Sequence, residues 1–431
     1  MNELLRKGIA ACLCVVTAGA AASGANAAEG AKHRRKPVPI AAPAPAQTPV
    51  AAGADGKKIA VPVNSRQVTR GVQWLIAHQL GNGGWGQGDE SQEMGRGMDG
   101  LRDSSNVADS AMALLALARA GHGPSRGEYR GAALRGVDYV LREIEASDKD
   151  SLAVTSVQGT RVQAKIGTYV DTFASLLLLT ELKGAMPDAA GNARLERALA
   201  KVLSKVERNQ TADGAWGNQG WAPALTQSLA SKGLNRAAQQ GAAVSDRTLE
   251  RAERKAQSDY RSGDASAAAA GVELYAGAAN LGAMRDSVQT RRAKKDKWER
   301  QAAAAPASPE GSAARRALEQ TVIAEREADD AQRDLVGRLQ NPDFIRGFGS
   351  NGGEEFLSYM LVSEGLLAKG GKDWERWNSA ISKLVHDVQN GDGSWTGHHC
   401  ITGRTFCTAA ALLVLMSDRA PSPTASKLRQ G

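Results

Sequence analysis

Apolar residues recur along this chain in two alternating patterns, and both predict helices. Six segments, at residues 106–121, 168–184, 221–241, 267–286, 354–371 and 403–419, are rich in Ala, Leu and Val and open on a small or acidic residue. Several are apolar nearly all round, as a helix buried on every side must be. Most end in Gly or a Lys/Arg-Gly pair, a helix stop signal. Ahead of these lie segments with a single apolar stripe. Val72, Leu75, Ile76 and Gln79 share one face; so do Leu134, Val137, Leu141 and Ile144. The same holds for Leu195, Leu199, Val202, Leu203 and Val206, and for Trp374, Trp377, Ile381, Leu384, Val385 and Val388. Spacings of three and four mark an amphipathic helix. The fourth and fifth stripes, near 246–260 and 313–338, are charged and weakly periodic, and no alternating run long enough for a strand occurs. The pattern predicts an all-α fold: six outer/inner helix pairs over residues 67–420, closing into an (α/α)6 toroid.

Composition changes this picture at the ends. Arg6 and Lys7, a small apolar run and Ala25-Asn26-Ala27 read as a signal peptide over residues 1–27. A lipoprotein signal ending at Cys12 is the rival, with a shorter apolar run. Either implies a periplasmic or secreted protein. No other apolar stretch is long enough to cross a bilayer, so no transmembrane segment is expected after signal removal. Residues 28–66, rich in Ala, Pro and basic residues, predict a disordered linker, and 421–431 a disordered tail. Residues 1–66 hold nine Lys/Arg against three acids, which is six of the chain's net eight positive charges. The ring is therefore near neutral, and no nucleic-acid partner is expected. Residues 285–335, where opposite charges alternate, predict a charged helical insertion.

Three loops share one string: Gln79, Gly83 and Trp85; Gln210, Gly214 and Trp216; Gln389, Gly393 and Trp395. Each is Gln, three residues, Gly, one residue, Trp. This resembles the glutamine–tryptophan repeat of squalene–hopene cyclases, within the terpenoid cyclase and protein prenyltransferase toroid superfamily. Residues 359–415 also resemble secreted bacterial prenyltransferase/squalene-oxidase repeat proteins. Physically, Gln can bond free backbone groups at a helix end, Gly permits a positive φ, and Trp buries a large area. These are structural roles.

The resemblance also implies chemistry to look for. Cyclases of this kind use an Asp-x-Asp-Asp acid on an inner helix, which this chain lacks; Glu327-Ala328-Asp329-Asp330 falls in the charged insertion. Asp109 and Asp171 open inner helices and are the candidate acids, although a helix-start carboxylate also bonds free N–H groups. Aromatics make up only 4% of the sequence, too few to line a carbocation cavity. Prenyltransferases hold zinc through Asp, Cys and His. Here His398, His399, Cys400 and Cys407 form the metal-like cluster, at a different spacing. In an oxidising compartment a Cys400–Cys407 disulfide is the default, and no metal or other cofactor is expected. Asp89, Glu90 and Glu93 are the acids to suspect in a carbohydrate-active enzyme. The expected function is binding of a lipid such as an isoprenoid, another apolar ligand, a glycan or a protein partner. A diverged cyclase or prenyltransferase-type enzyme and a carbohydrate-active toroid are the alternatives. An enzyme would bring several titratable groups to one closed pocket; a binding protein would show an apolar funnel or an exposed patch.

Overall fold

A computed structural model describes residues 51–52, 58–59, 63–89, 99–217, 219–263, 265–349 and 351–421. The expected signal peptide, nearly all of the linker and tail, and Glu90 and Glu93 lie outside them. Ala51–Ala52 and Lys58–Ile59 pair as a two-residue antiparallel ribbon. The rest is helical: α1 Arg66–Ala77, α2 Asp99–Arg102, α3 Val107–Arg119, α4 Arg130–Ala146, α5 Arg161–Ile166 and α6 Val170–Glu181. Then follow α7 Ala189–Arg208, α8 Pro223–Gln239, α9 Asp246–Ser262, α10 Ala265–Ala268 and α11 Glu273–Ala304. The last are α12 Pro309–Arg338, α13 Pro342–Arg346, α14 Gly353–Lys369, α15 Lys372–Asp387 and α16 Arg404–Leu415. Among the described residues no helix is long and apolar enough to cross a membrane.

The six apolar segments form an inner ring. α3, α6, α8, α11, α14 and α16 touch in that order, and α16 returns to α3. Closure explains their composition. A helix with ring neighbours on both sides and an outer helix behind it has little face left for water, so almost every residue of α3, α6, α14 and α16 is buried. The outer helices keep one stripe inward. α1 lies on α16 and α3, α4 on α3, α7 on α6, α9 on α8 and α11, α12 on α11, and α15 on α14 and α16. Two stripe positions differ from expectation: Leu134 and Val388 are exposed, and Ala133 and Val140 fill the core in the α4 stripe.

The three repeats make the same joint. Each indole Nε1 donates to a carbonyl near the end of its own outer helix: Trp85 to Leu75 (2.7 Å), Trp216 to Val206 (2.8 Å) and Trp395 to Val385 (2.7 Å). Each glutamine amide clasps its own turn and the next outer helix. Gln79 reaches Ala132 O in α4 (2.8 Å), and Gln210 reaches Thr248 O in α9 (3.1 Å). Gln389 reaches Gln67 O in α1 (3.0 Å), so the last unit is bolted to the first. Gly83, Gly214 and Gly393 sit at φ +93, +92 and +96. A Cβ on Gly214 would stand 2.1 Å from Arg251 O in the neighbouring helix, so both the φ and the close approach require glycine.

The 285–335 stretch comprises the second part of α11 and most of α12. The two long helices pack along each other, and α12 serves as the fifth outer helix. A second core cluster of Ala256, Ala283, Met284, Val288, Ala324, Ala328 and Ala331 lies between them and α9.

Candidate functional site

The ring has two chemically distinct ends. At the end where the inner helices finish, six charged side chains are buried together. Arg119 (α3) meets Glu181 (α6) and Glu364 (α14), each at 2.6 Å. Lys232 (α8) meets Asp286 (α11) at 2.7 Å and Glu364 at 3.0 Å. Arg236 meets the same two acids at 3.1 and 3.5 Å. α3, α8 and α14 are alternate members of the ring, so side chains from all three can meet only on its axis. Three cations balance three anions, and the network closes the bore at this end. Burial alone would push Glu364 up, but the charges of Arg119, Lys232 and Arg236 outweigh it and hold its carboxyl well below the usual range.

At the opposite end, the mouth, all six inner helices begin, and their N–H dipoles favour carboxylates. Asp171 Oδ1 accepts Ala108 N (2.9 Å) and its Oδ2 accepts Gln163 Nε2 (2.7 Å), tying α6 to α3 and α5. Burial nevertheless pushes Asp171 up to about 6. Asn106 caps α3 by accepting Asp109 N (2.8 Å), and its amide donates to Asp109 Oδ2 (2.7 Å). Both candidate acids are thus engaged at helix starts. Asp89 is exposed and pairs with Arg102 (3.1 Å), and His398 is exposed.

The expected disulfide is not formed: Cys400 and Cys407 are both free and buried. Cys407, a turn into α16, directs its thiol at Ile401 O (3.4 Å), and Cys400 sits in the preceding loop at φ 53. Burial, then the Glu354 charge, pushes the Cys407 thiol up.

The densest cluster at the mouth is one the sequence reading did not single out. Glu354 and Glu355 open α14, both fully buried. The loop before α16 lies across them: Gly353 N donates to Ile401 O (2.9 Å), His398 N to Asn351 O (2.9 Å) and Ile401 N to Glu354 Oε2 (3.2 Å). These bonds place His399 Nε2 3.2 Å from Glu355 Oε2. Glu355 also accepts Gly352 N (2.9 Å), Phe348 N (3.0 Å) and the hydroxyl of Tyr275, which opens α11. Burial, then the charge of Glu355, pushes Glu354 up to about 8. Phe348 covers the cluster. Its ring centroid lies 5.2 Å from that of His399 and 5.1 Å from that of Trp221. Beyond it, a hollow of about 660 Å³ opens between the start of α11, the end of α12 and α13.

Residues 52–157, which carry the first repeat, the first helix pair and the second outer helix, match the family model of the squalene-hopene cyclase C-terminal domain. With the closed ring of paired helices, that match decides the fold. The ring is a terpenoid-cyclase-like α/α toroid. No curated protein matches this chain. Among the described residues, His399 is the candidate from the sequence that joins the mouth cluster. Glu354, Glu355 and Tyr275 are additions. Their signal was available: two consecutive acids after a Gly-Gly step, at the start of a helix apolar on all sides.

Proposed function

We propose that this chain is a non-cyclase binding protein, acting outside the cytoplasm, that takes a glycan in the hollow beyond Phe348. The observation that carries the reading is the lining of that hollow. Phe348 supplies exposed apolar surface above the buried Leu274 and Phe344, and Arg338 lies over the Phe344 ring at 4.5 Å. Glu273, Asn341 and Asp343 add hydrogen-bonding groups. An exposed aromatic ring beside polar groups suits a sugar ring, apolar on its C–H faces and hydroxylated at its edge. The titratable groups at the mouth converge as an enzyme's would, but both carboxylates are fully buried behind Phe348, which leaves the exposed patch as the offered surface. The axial ion network also argues against a chamber for folding a long isoprenoid. The signal-like first residues support the location.

A second reading has its own support. A cavity of about 180 Å³ between α8, α9 and α11, lined by Trp216, Pro223 and several alanines, suits a small apolar group. Two measurements separate them. A glycan array, followed by calorimetry, is expected to find an oligosaccharide whose affinity falls about tenfold or more in Phe348→Ala, the cost of losing one aromatic stacking contact. Native mass spectrometry with lipid extraction is expected to find no isoprenoid. A co-purifying lipid with a silent array would overturn the glycan reading in favour of the cavity.

A further inference from the structure

The buried cluster behind Phe348 has a chemistry of its own, independent of what the hollow binds. We propose that Glu354, Glu355 and His399 form a binding site for one divalent first-row transition-metal cation of the zinc class. The two carboxylates and the imidazole each offer one ligand atom, and all these atoms lie within 4.8 Å of one another. Two ligands at about 2.0 Å from a tetrahedral ion stand about 3.3 Å apart. The 3.2 Å separation of His399 Nε2 and Glu355 Oε2 is already that edge.

An independent observation points to a missing ligand. Glu354 Oε1 is buried and makes no hydrogen bond, while its sister Oε2 is held by Ile401 N. A buried carboxylate oxygen left unpaired is costly, and so are two adjacent buried acids. A cation coordinated by Oε1 removes both costs. The surroundings also provide the outer contacts that such ligands need. Tyr275 OH, Phe348 N and Gly352 N hold Glu355, and Ile401 N holds Glu354.

The donor set narrows the ion. One nitrogen and two carboxylates suit zinc or a neighbouring transition metal; calcium takes six to eight oxygens, and magnesium keeps most of its water. The set differs from the Asp, Cys and His of prenyltransferases, since no cysteine takes part. Occupancy would fasten the 397–401 loop to α14 at the point where Phe348 turns into the hollow.

The test uses the full chain, stripped with chelator and dialysed, then titrated with zinc alone by calorimetry and checked by elemental analysis. About one zinc per chain is expected. Zinc affinity should fall about tenfold or more in Glu354→Gln and in His399→Ala. Calcium and magnesium should fail to compete. Circular dichroism controls for folding, and if Glu354→Gln does not fold, the partly exposed His399→Ala decides. Less than about one tenth of a zinc per wild-type chain, or affinity unchanged in a folded His399→Ala, overturns the site.

Discussion

Single residues here do one of two jobs, filling a joint or holding a charge where water is absent. Trp395 does the first. It is fully buried and bonded to Val385 O, so Trp395→Ala should remove about 3–5 kcal/mol of stability, read as a lower urea midpoint. Asp171 does the second, and its effect on stability has a definite sign. Its carboxyl rises from 3.8 to about 6 because burial outweighs the bonds from Gln163 and Ala108. The folded state therefore keeps a proton that the unfolded chain has released. This contribution is present below about pH 4 and is lost as pH rises to about 6, by an amount on the order of 3 kcal/mol. Asp171→Asn should flatten that part of the stability–pH profile, measured by denaturant melts at several pH values.

At the scale of elements, the α11–α12 pair depends on small side chains. Ala328 is fully buried in the seam with Ala283, Met284 and Val288. Ala328→Leu overfills it and should cost about 1–3 kcal/mol, while Val322→Ala, on the exposed face of the same helix, should cost little in the same melts. The alanine seam also explains what the sequence made legible. Most inner helices stand out because they are apolar nearly all round, and α1, α4, α7 and α15 because their stripes use large residues. α12 buries small and polar residues beside a single leucine, which contrast weakly with its charged neighbours, so it reads as an appendage. The repeat string is visible because its three parts lie within seven residues. Its counterparts in the next outer helix, Arg70, Arg135 and Arg251, whose backbone crowds the turn glycines, carry no local signal. At the mouth the Glu354-Glu355 pair has a local signal, but its partners do not. Glu355 meets a tyrosine 80 residues earlier, and only the closed ring makes them neighbours.

The whole molecule rests on a bore that is filled with charge at one end. Glu364 touches Arg119, Lys232 and Arg236, so Glu364→Gln leaves three buried cations facing two acids and should cost about 3–5 kcal/mol. Because its carboxyl is held below the usual range, the wild-type contribution is complete above about pH 4.5 and is lost on acidification below it, whereas the variant lacks this acid-labile part in thermal melts. The same end of the ring holds both limits of the folded chain. Arg419 bonds Asn64 Oδ1 (2.5 Å) and Val63 O (3.0 Å), and Asn64 reaches Ala120 O (3.0 Å) just past α3. With entry and exit side by side and the seam fastened by Gln389, the break in the circle is a matter of gene order more than of architecture. A circularly permuted chain, opened at another loop, would keep every joint described above. The backbone thus joins the ring from behind, like a handle, on the side away from Phe348.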